Sequence, residues 1–486
     1  MKRVIKHLVL FIISGLVCLF LGGVGTYVFL GTRYVSEPWH VIDLGQEFRA
    51  SRMGEISDFD DYLKLEDRLF KVLREKVYKP SAAKGSDFDR YRTGSRSDPL
   101  GFSVNWNRTF ELPVDSPRGG VLMLHGLTDS PYSVRSLAQK FQAQGFWVVG
   151  LRLPGHGTIP AELLDIHWED WAAAVRMGAR HVADRIGSKL PFYLMGYSTG
   201  APLAVEYALS AIDGENIPGT NGLILLSPAM GLQPIARLAK FQLGLSRLPG
   251  LGKMAWESVS PEYDPYKYNS FPVNAGEQVY RLAMHVQERI KKMASANRLA
   301  SFPRVIAFQS IVDATIQADA VADKFLIYLP SEKNTLVVFD VNQQTMAQGV
   351  IKKDAGKRFK ASLLEQQTLP FKVELLTNMT QTQNDLRRVL RQAGKTATTW
   401  KQLPFSWPAG IYSLAHVALP FSPDDPIYGD SPMGETGPVR LGNIHVRGEK
   451  KVFVIPEQNM IRLRHNPFYA HMENRILQFI GAAADE

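Results

Sequence analysis

The hydrophobic pattern opens with an uncharged, apolar run at residues 8–30. A helix of about 20 residues, rising about 1.5 Å per residue, crosses the hydrocarbon core of a bilayer, so this run predicts a transmembrane helix. Lys2, Arg3 and Lys6 precede the run, which predicts a cytoplasmic N-terminus and an extracytoplasmic remainder, periplasmic in a bacterium. A cleaved signal peptide has a shorter apolar core, of roughly 7–15 residues, so we expect residues 1–35 to be a retained membrane anchor, with cleavage as the alternative.

Residues 36–110 form an N-terminal extension with one amphipathic helix. Apolar side chains recur at helical spacing from Tyr62 to Leu73. Ser57 is a suitable N-cap for this helix, and Pro80 ends it. We expect the extension to be a spacer that packs on the main domain.

From residue 111 to residue 486, short apolar strands alternate with helical segments. The strands are predicted at residues 121–124, 146–151, 192–195, 223–226, 304–308 and 335–339. Continuous apolar strands separated by helices are typical of a mostly parallel sheet that helices cover on both faces. The pattern therefore predicts an α/β fold, with its chemistry at the carboxyl ends of the strands.

The composition narrows the function classes without selecting one. Hydrophobic residues make up 45% of the chain and charged residues 21%, as in ordinary globular proteins, which excludes a wholly disordered chain. The formal charge of +9 is mild for 486 residues and comes with no compact basic and aromatic module, so we expect no nucleic-acid partner. The single cysteine, Cys18, excludes an intrachain disulfide framework and a cysteine-based metal cluster.

The strongest catalytic signal is a G-x-S-x-G segment at residues 196–200, which follows a predicted strand and opens a predicted helix. A turn this sharp needs small residues at Gly196 and Gly200, and it lifts the Ser198 hydroxyl clear of the sheet. Ser198 is therefore the candidate nucleophile. A serine that only forms a turn is the alternative interpretation.

A serine nucleophile needs two donors for the oxyanion that forms when it attacks a carbonyl group. His125 and Gly126 follow the first strong strand, and the backbone N–H of Leu127 comes next, where one donor is expected. The N–H of Thr199, the residue after the nucleophile, is the second donor. We expect His125 to hold its loop in place.

Several motifs in the same order resemble the carboxylesterase and monoacylglycerol-lipase branch of the α/β-hydrolase superfamily. Besides the segment around Ser198 they are LHGLTDSPYSVR at 124–135, LPGHGTIPAEL at 153–163 and WEDW at 168–171. The similarity runs from about residue 121 to residue 209 and resumes at residues 303–323. It implies an α/β-hydrolase fold and a serine hydrolase of carboxylic esters that needs no metal or organic cofactor.

The superfamily places its triad in the chain order serine, acid, histidine. Asp313 lies just after the predicted strand at residues 304–308, in a segment that looks like the family's acid turn. Its expected task is to orient the histidine and stabilise the imidazolium. Asp319 is the nearest competitor, and a turn-forming carboxylate is the alternative for Asp313.

Four histidines compete for the role of base. His416 is our first choice because residues 411–421 resemble the family's histidine segment. His465 is the second choice, since it lies just before the terminal helix. We expect His471 on the surface of that helix and His445 in a basic turn, so neither is preferred.

Residues 229–300 are expected to form a helical cap, at the position where the superfamily inserts one. The apolar segment at 234–248 is either a lid that forms the acyl pocket or an ordinary core-facing helix, and a second helix is predicted at 279–293. Residues 263–271 carry many aromatic side chains, and we expect them to pack beside the pocket.

Residues 341–410 form a second insertion, polar and without histidine, so that any histidine base must follow it. Lys352, Lys357 and Lys360 belong to a basic cluster within it. Such a cluster is usually a solvated face, and binding to lipid headgroups is the alternative.

Together these features predict a single-pass, membrane-anchored serine esterase or lipase with the triad Ser198, Asp313 and His416. It would act through an acyl-enzyme on acyl esters such as monoacylglycerols or lysophospholipids. The expected partners are the ester substrate and the lipid bilayer. An acyltransferase with the same triad and a non-catalytic anchored binding protein are the alternatives.

Overall fold

The computed structural model describes most of residues 37–483. Within that range the undescribed positions are 46, 53, 57, 79–85, 233–238, 247, 249–250, 314, 331, 345–348, 350–351, 353–354, 366–367, 431–438, 443–445 and 448–460. Only scattered positions before residue 37 are described, so the transmembrane helix predicted at residues 8–30 lies largely outside the described residues. No helix in the described part has the length and apolar character needed to span a membrane.

The described part of the chain contains fourteen strands, ten of which form one large sheet. They are β1 (Phe110–Leu112), β2 (Gly119–Leu124), β3 (Phe146–Leu151), β4 (Phe192–Tyr197), β5 (Gly222–Leu226), β6 (Trp256–Ser258), β7 (Phe271–Pro272), β8 (Arg304–Ser310), β9 (Thr335–Phe339), β10 (Lys372–Asn378), β11 (Asp385–Arg391), β12 (Thr398–Ser406), β13 (Val446–Arg447) and β14 (Ile461–Arg462). Two short pairs, β6 with β7 and β13 with β14, lie apart from the large sheet.

The large sheet has ten strands among the described residues, in the spatial order β1-β3-β2-β4-β5-β8-β9-β10-β11-β12. The seven neighbouring strands from β3 to β10 are parallel. The pairs at the two edges, β1 with β3, β10 with β11 and β11 with β12, are antiparallel. The prediction of a mostly parallel sheet is confirmed.

Eight helices of eight or more residues accompany the sheet in the described chain. They are α1 (Phe59–Leu73), α2 (Arg135–Ala143), α3 (Trp168–Ile186), α4 (Gly200–Ile212), α5 (Ala239–Ser246), α6 (Val273–Ser295), α7 (Lys357–Leu364) and α8 (Tyr469–Phe479). Two four-residue helices, Pro38–Val41 and Ala320–Asp323, are not numbered.

The two faces of the sheet bury separate cores, because successive residues of a strand face opposite sides. Leu122 and Leu194 belong to one core, which α3, α4 and α6 cover. Met123 and Met195 belong to the other, which α2 and α8 cover. All four side chains are fully buried, and each contributes about 1.5–3 kcal/mol to folding.

The second insertion, residues 341–410, differs from our prediction of a polar segment, since it extends the sheet. β10 pairs in parallel with β9, and β11 and β12 continue the sheet to its edge. Glu374 interrupts the apolar pattern of β10, yet it is buried because Arg475 of α8 binds both of its carboxylate oxygens at 2.6 and 3.0 Å. A sequence pattern cannot show this pairing across 101 positions.

The long helix of the region predicted as a cap, α6, packs on α3 and α4 as part of the main helical layer. Val286 and Ile290, on its inward face, are fully buried. The apolar segment at 234–248 is described only in part, as α5, which contacts α6. Its role as a lid stays a prediction.

Helix α1 of the N-terminal extension begins one residue later than predicted, with Asp58 as its N-cap. A carboxylate oxygen of Asp58 accepts a hydrogen bond from the Asp61 amide at 2.8 Å, which satisfies a donor of the first turn. Ser57 and Pro80, the predicted ends, lie outside the described residues. After Leu73 the helix continues as a π-helical turn to Tyr78.

The extension packs on the main domain, as predicted, and its contacts there are buried and polar as well as apolar. The Tyr62 hydroxyl donates to the Arg152 carbonyl at 2.6 Å, and the Tyr91 hydroxyl donates to the Thr158 carbonyl at 2.8 Å. Both tyrosines are fully buried. Local periodicity identified the helix, but it could not show that its buried face carries polar partners for distant loops.

A buried carboxyl where the extension meets residues 153–163 gives a pH-dependent prediction. Burial and the nearby Glu47 raise the pKa of Glu162 from 4.5 to about 7, while its Oε1 accepts the Leu44 amide at 2.8 Å. Between pH 4.5 and about pH 7, Glu162 keeps a proton in the folded protein that it has lost in the unfolded chain. The free energy of unfolding therefore falls as the pH rises through this range.

We therefore expect Glu162→Gln to raise the melting temperature at pH 8, relative to wild type, and to leave it nearly unchanged at pH 4.5. The difference corresponds to about 3 kcal/mol at most, because each pKa unit is worth about 1.4 kcal/mol. Thermal unfolding at both pH values measures it. Glu55→Gln, at an exposed glutamate nearby, is the control and should change neither value. An equal effect of Glu162→Gln at both pH values would contradict the assignment.

Candidate active site

Ser198 lies at a sharp bend between β4 and α4, with a backbone φ of +52°. Its amide donates to the Leu226 carbonyl at 2.9 Å, and its carbonyl accepts from the Ala229 amide at 3.2 Å. A Cβ on Gly196 would lie 2.3 Å from the Gly200 carbonyl oxygen, and a Cβ on Gly200 would lie 2.4 Å from the Leu124 carbonyl oxygen. The bend therefore requires glycine at both flanking positions, as the sequence indicated.

The Ser198 hydroxyl is the first member of a chain of three hydrogen-bonded side chains. Nε2 of His416 lies 3.0 Å from Oγ of Ser198, and Nδ1 of His416 lies 2.9 Å from Oδ2 of Asp313. All three side chains are buried, and 218 positions separate the serine from the histidine. The structure thus brings together the three residues that the sequence nominated as nucleophile, base and acid.

Asp313 follows β8 at the carboxyl edge of the sheet. Its Oδ1 accepts the amides of Thr315 at 2.8 Å and Ile316 at 3.1 Å, and its Oδ2 accepts Nε2 of Gln309 at 3.3 Å. Burial alone would raise the pKa of Asp313, but the facing His416 and the two amides together hold it below its ordinary value of 3.8. The carboxyl is therefore ionised at neutral pH and orients Nδ1 of His416.

His416 lies at the carboxyl edge of the sheet because the second insertion leaves and re-enters the fold at neighbouring points. Asn342, three residues after β9 ends, donates from its amide to the Tyr412 carbonyl at 2.8 Å and from Nδ2 to the Ile411 carbonyl at 3.0 Å. Leu414 and Leu419, on either side of the histidine, are buried in the core under α8. The histidine segment therefore lies where β9 ends, although His416 is 77 positions after the end of that strand in sequence.

The two amides nominated as oxyanion donors lie in the loops that leave β2 and β4. These strands are neighbours, with Leu124 opposite Gly196, so both loops start at the same level. Neither the Leu127 amide nor the Thr199 amide donates a hydrogen bond within the described part of the chain. Both remain available to a substrate oxygen beside Ser198.

His125 holds the loop after β2 in the way that the sequence suggested. Its Nε2 accepts the Leu153 amide at 3.0 Å, so the ring proton is on Nδ1, which donates to the Gly126 carbonyl at 2.8 Å. Burial, together with the nearby His156, holds the pKa of His125 well below 6.5. The ring is therefore neutral and acts as a fixed bridge between two loops.

The aromatic segment at 263–271 supports the same loop from its other side. The Tyr268 amide donates to the Thr128 carbonyl at 2.8 Å, and Nζ of Lys267 lies 3.2 Å from Oδ1 of Asp129. The ring of Tyr266 stacks on Tyr132 with a centroid distance of 4.3 Å. These contacts fix a backbone that has a positive φ at Thr128.

The other histidine candidates lie elsewhere. His465 is buried, with Nδ1 3.3 Å from the Tyr428 carbonyl and Nε2 3.5 Å from a carboxylate oxygen of Asp430. His471 is buried against Phe405 of β12, so its predicted surface position is wrong, because the unpredicted sheet extension covers it. His445 lies outside the described residues.

Two side chains near the triad were not predicted from the sequence. Gln309 binds the acid, as described, and the Tyr197 ring lies 5.7 Å from the His416 ring with its hydroxyl 3.5 Å from the His416 carbonyl. Tyr197 stands inside the G-x-S-x-G segment and Gln309 four positions before the acid, which is the only signal that the sequence held. The competing acid, Asp319, precedes the short helix Ala320–Asp323.

Comparison with known proteins finds similarity to hydrolases over part of the chain. Residues 115–348 match the family model described as serine aminopeptidase, S33. A thermostable monoacylglycerol lipase of Bacillus sp. (strain H-257) is 26% identical over 175 residues, which cover 36% of this chain and 65% of that relative. The family match covers just under half of the chain and supports an α/β-hydrolase fold. The chain spans less than two thirds of the curated relative that it matches.

Solved structures with a similar chain path include lipolytic enzymes. One is a chain of the metagenome-derived lipolytic enzymes LipS and LipT, 22% identical with a TM-score of 0.37. Another is the monoacylglycerol lipase of Paleococcus ferrophilus, 19% identical with a TM-score of 0.36. Each likeness covers 48% of this chain and 88% of the other chain. The family model includes Ser198 and Asp313 but ends before His416.

The bend at Ser198 gives a prediction for the reactivity of this serine. We expect Gly196→Ala to slow the reaction of Ser198 with a fluorophosphonate at least about 100-fold, because the new methyl group would displace the bend by a sizeable fraction of an ångström. Labelling rates measured on the purified protein test this. Gly219→Ala, where an added Cβ has no neighbour within 4 Å, should label like wild type. Equal labelling of both variants would show that the bend tolerates a side chain.

Proposed function

We propose that the hydrolase is a membrane-anchored serine esterase or lipase that cleaves carboxylic esters through an acyl-enzyme. The observation that carries this proposal is the continuous set of hydrogen bonds from Asp313 through His416 to the Ser198 hydroxyl. A hydroxyl alone is a weak nucleophile at neutral pH, and an oriented imidazole is what activates it. The family of the chain supports the same chemistry.

In the proposed first half-reaction, Oγ of Ser198 attacks the ester carbonyl while Nε2 of His416 accepts the hydroxyl proton. Asp313 stabilises the imidazolium through its contact with Nδ1. The carbonyl oxygen becomes an oxyanion, which the amides of Leu127 and Thr199 bind. His416 then returns the proton to the departing alcohol, which leaves an acyl-enzyme on Ser198.

In the second half-reaction, water attacks the acyl-enzyme and His416 takes a proton from it. The same two amides stabilise the second oxyanion, and collapse releases the acid and regenerates Ser198. An acyltransferase would use another acceptor in place of water at this step. Hydrolysis is favoured here by the similarity to a relative described as a lipase.

The substrate class is proposed to be acyl esters such as monoacylglycerols or lysophospholipids. Two observations support it: the likeness to a thermostable monoacylglycerol lipase and the apolar run at residues 8–30, which would keep the protein beside lipid. The basic side chains before that run support a cytoplasmic N-terminus and an extracytoplasmic catalytic domain. No nucleic-acid partner is proposed.

The proposed triad gives a test with three alanine variants. We expect Ser198→Ala and His416→Ala to lower kcat for a p-nitrophenyl ester at least about 1000-fold, because each removes a member of one catalytic unit. His465→Ala should keep activity of the wild-type order, since that ring contacts Tyr428 and Asp430 instead. Activity that survives His416→Ala and disappears in His465→Ala would overturn the assignment of the base.

The measurement should include p-nitrophenyl esters of increasing acyl length and a monoacylglycerol, with the products identified. Free fatty acid as the main acyl product supports hydrolysis. Transfer of the acyl group to an added alcohol acceptor, with little free acid, would indicate an acyltransferase. Absence of both reactions and of fluorophosphonate labelling at Ser198 would contradict a catalytic role.

The anchor gives a separate prediction. We expect the full chain to stay in the membrane fraction after extraction at pH 11, and a protease added to intact spheroplasts to digest the catalytic domain. Replacement of residues 1–35 by a cleavable signal peptide should release active protein into the soluble fraction. Release of the full chain from the membrane at pH 11 would contradict the proposed anchoring. Protection of the catalytic domain from the protease would contradict the proposed orientation.

A further inference from the structure

One fully buried arginine connects the N-terminal extension to the loops of the site. Arg152 follows β3, and its side chain has no exposed surface. Its Nη1 and Nη2 donate to the two carboxylate oxygens of Glu47, each at 3.0 Å, and its Nε lies 3.3 Å from Oε2 of Glu66. Both glutamates belong to the extension and are buried. They precede residue 115, where the family match begins.

The extension also binds the backbone of Arg152. The Arg152 amide donates to Oγ1 of Thr109 at 3.0 Å, and the Arg152 carbonyl accepts the Tyr62 hydroxyl at 2.6 Å. Thr109 is held in turn by Glu66, whose two oxygens accept its amide and its hydroxyl, each at 2.8 Å. Side chain and backbone of Arg152 are thus fixed together by one set of buried groups.

The residue after this arginine begins a direct path to the proposed oxyanion donor. The Leu153 amide donates to Nε2 of His125 at 3.0 Å, and Nδ1 of His125 donates to the Gly126 carbonyl at 2.8 Å. That carbonyl and the Leu127 N–H belong to the same planar peptide unit. A hydrogen bond that fixes the carbonyl therefore fixes the direction of the N–H and polarises it as a donor.

The buried charges of Glu47 and Arg152 indicate that the extension does more than attach to the main domain. Burial alone would raise the pKa of Glu47, but Arg152 and the amides of Gly155 and Phe48 hold it below its ordinary value. Glu47 is therefore ionised. Apolar side chains would attach the extension without the desolvation that buried charges require. A bidentate guanidinium–carboxylate pair restricts the relative orientation of the two groups, which suits the fixing of a loop.

We propose that the N-terminal extension is a positioning element for the oxyanion donor: Glu47 and Glu66 fix Arg152, and Arg152 fixes the Gly126–Leu127 peptide through Leu153 and His125. This inference rests on the proposed function for its catalytic consequence. Glu47, Glu66, Tyr62 and Arg152 are positioning residues, since they act on the reaction only through the peptide.

The test compares Glu47→Gln with wild type, using the full chain purified in detergent. We expect kcat for a soluble p-nitrophenyl ester to fall at least about tenfold, because a displaced donor stabilises the transition state less. KM should stay within about twofold, since the donor binds the oxyanion more strongly than the ground-state ester. Hydrogen exchange should become faster at the amides of Asp129 and Leu153, which donate to the Gly126 carbonyl and to Nε2 of His125.

Glu374→Gln is the matched control. Glu374 is an equally buried carboxylate in a bidentate pair with Arg475, without a contact to the loops of the site. We expect it to lower the melting temperature while kcat and exchange at the Asp129 and Leu153 amides stay at wild-type values. If Glu47→Gln behaves in the same way, the extension is only a structural attachment and the proposal is overturned.

A milder variant, Tyr62→Phe, keeps the proposal testable if Glu47→Gln does not fold. It removes the hydroxyl that binds the Arg152 carbonyl, and we expect about a threefold fall in kcat together with faster exchange at the Asp129 and Leu153 amides. A folded Tyr62→Phe protein with wild-type kcat and exchange would overturn the proposal. Hydrogen exchange needs no turnover, so it decides the positioning role even if wild type cleaves no ester, which would refute the proposed function alone.

Discussion

The backbone at Ser198 adopts a left-handed conformation that residues other than glycine rarely take. The other groups of the site are positioned around this conformation. Such a conformation costs about 1–3 kcal/mol, so the surroundings must hold it. Here the Leu226 carbonyl and the Ala229 amide bind the serine backbone, and the glycines at 196 and 200 leave room for the bend. Because β4 and α4 are buried along most of their length, the bend has no freedom to relax.

Buried charges orient the loops that surround this bend. Asp313 faces His416, and Arg152 faces two glutamates of the extension. In a third buried pair, Arg135 donates to a carboxylate oxygen of Asp425 at 2.9 Å. Removing one member of such a pair leaves an uncompensated buried charge, which costs about 3–5 kcal/mol. The arrangement therefore ties the shape of the site to segments that lie far apart in sequence.

The acid and the base of the site lie close together although a long insertion separates them in sequence. Three strands, β10 to β12, lie between the end of β9 and His416, yet they only widen the sheet at one edge. Hydrogen bonds from Asn342 bring the histidine segment back to the end of β9. An insertion can thus be long without moving the base, because it leaves and re-enters the fold at neighbouring points.

The sequence by itself determined the parallel strands, the bend around Ser198 and the order of its partners, because these depend on local patterns: apolar runs, flanking glycines and short motifs. It ranked His416 above His465 on a local match, and only the folded chain placed one ring beside Ser198 and the other beside Tyr428. The strands of residues 341–410 and the embedding of the extension needed the tertiary structure. Their polar residues, such as Glu374 and Glu47, are buried only because arginines distant in sequence neutralise them, and such pairs form only in the folded chain.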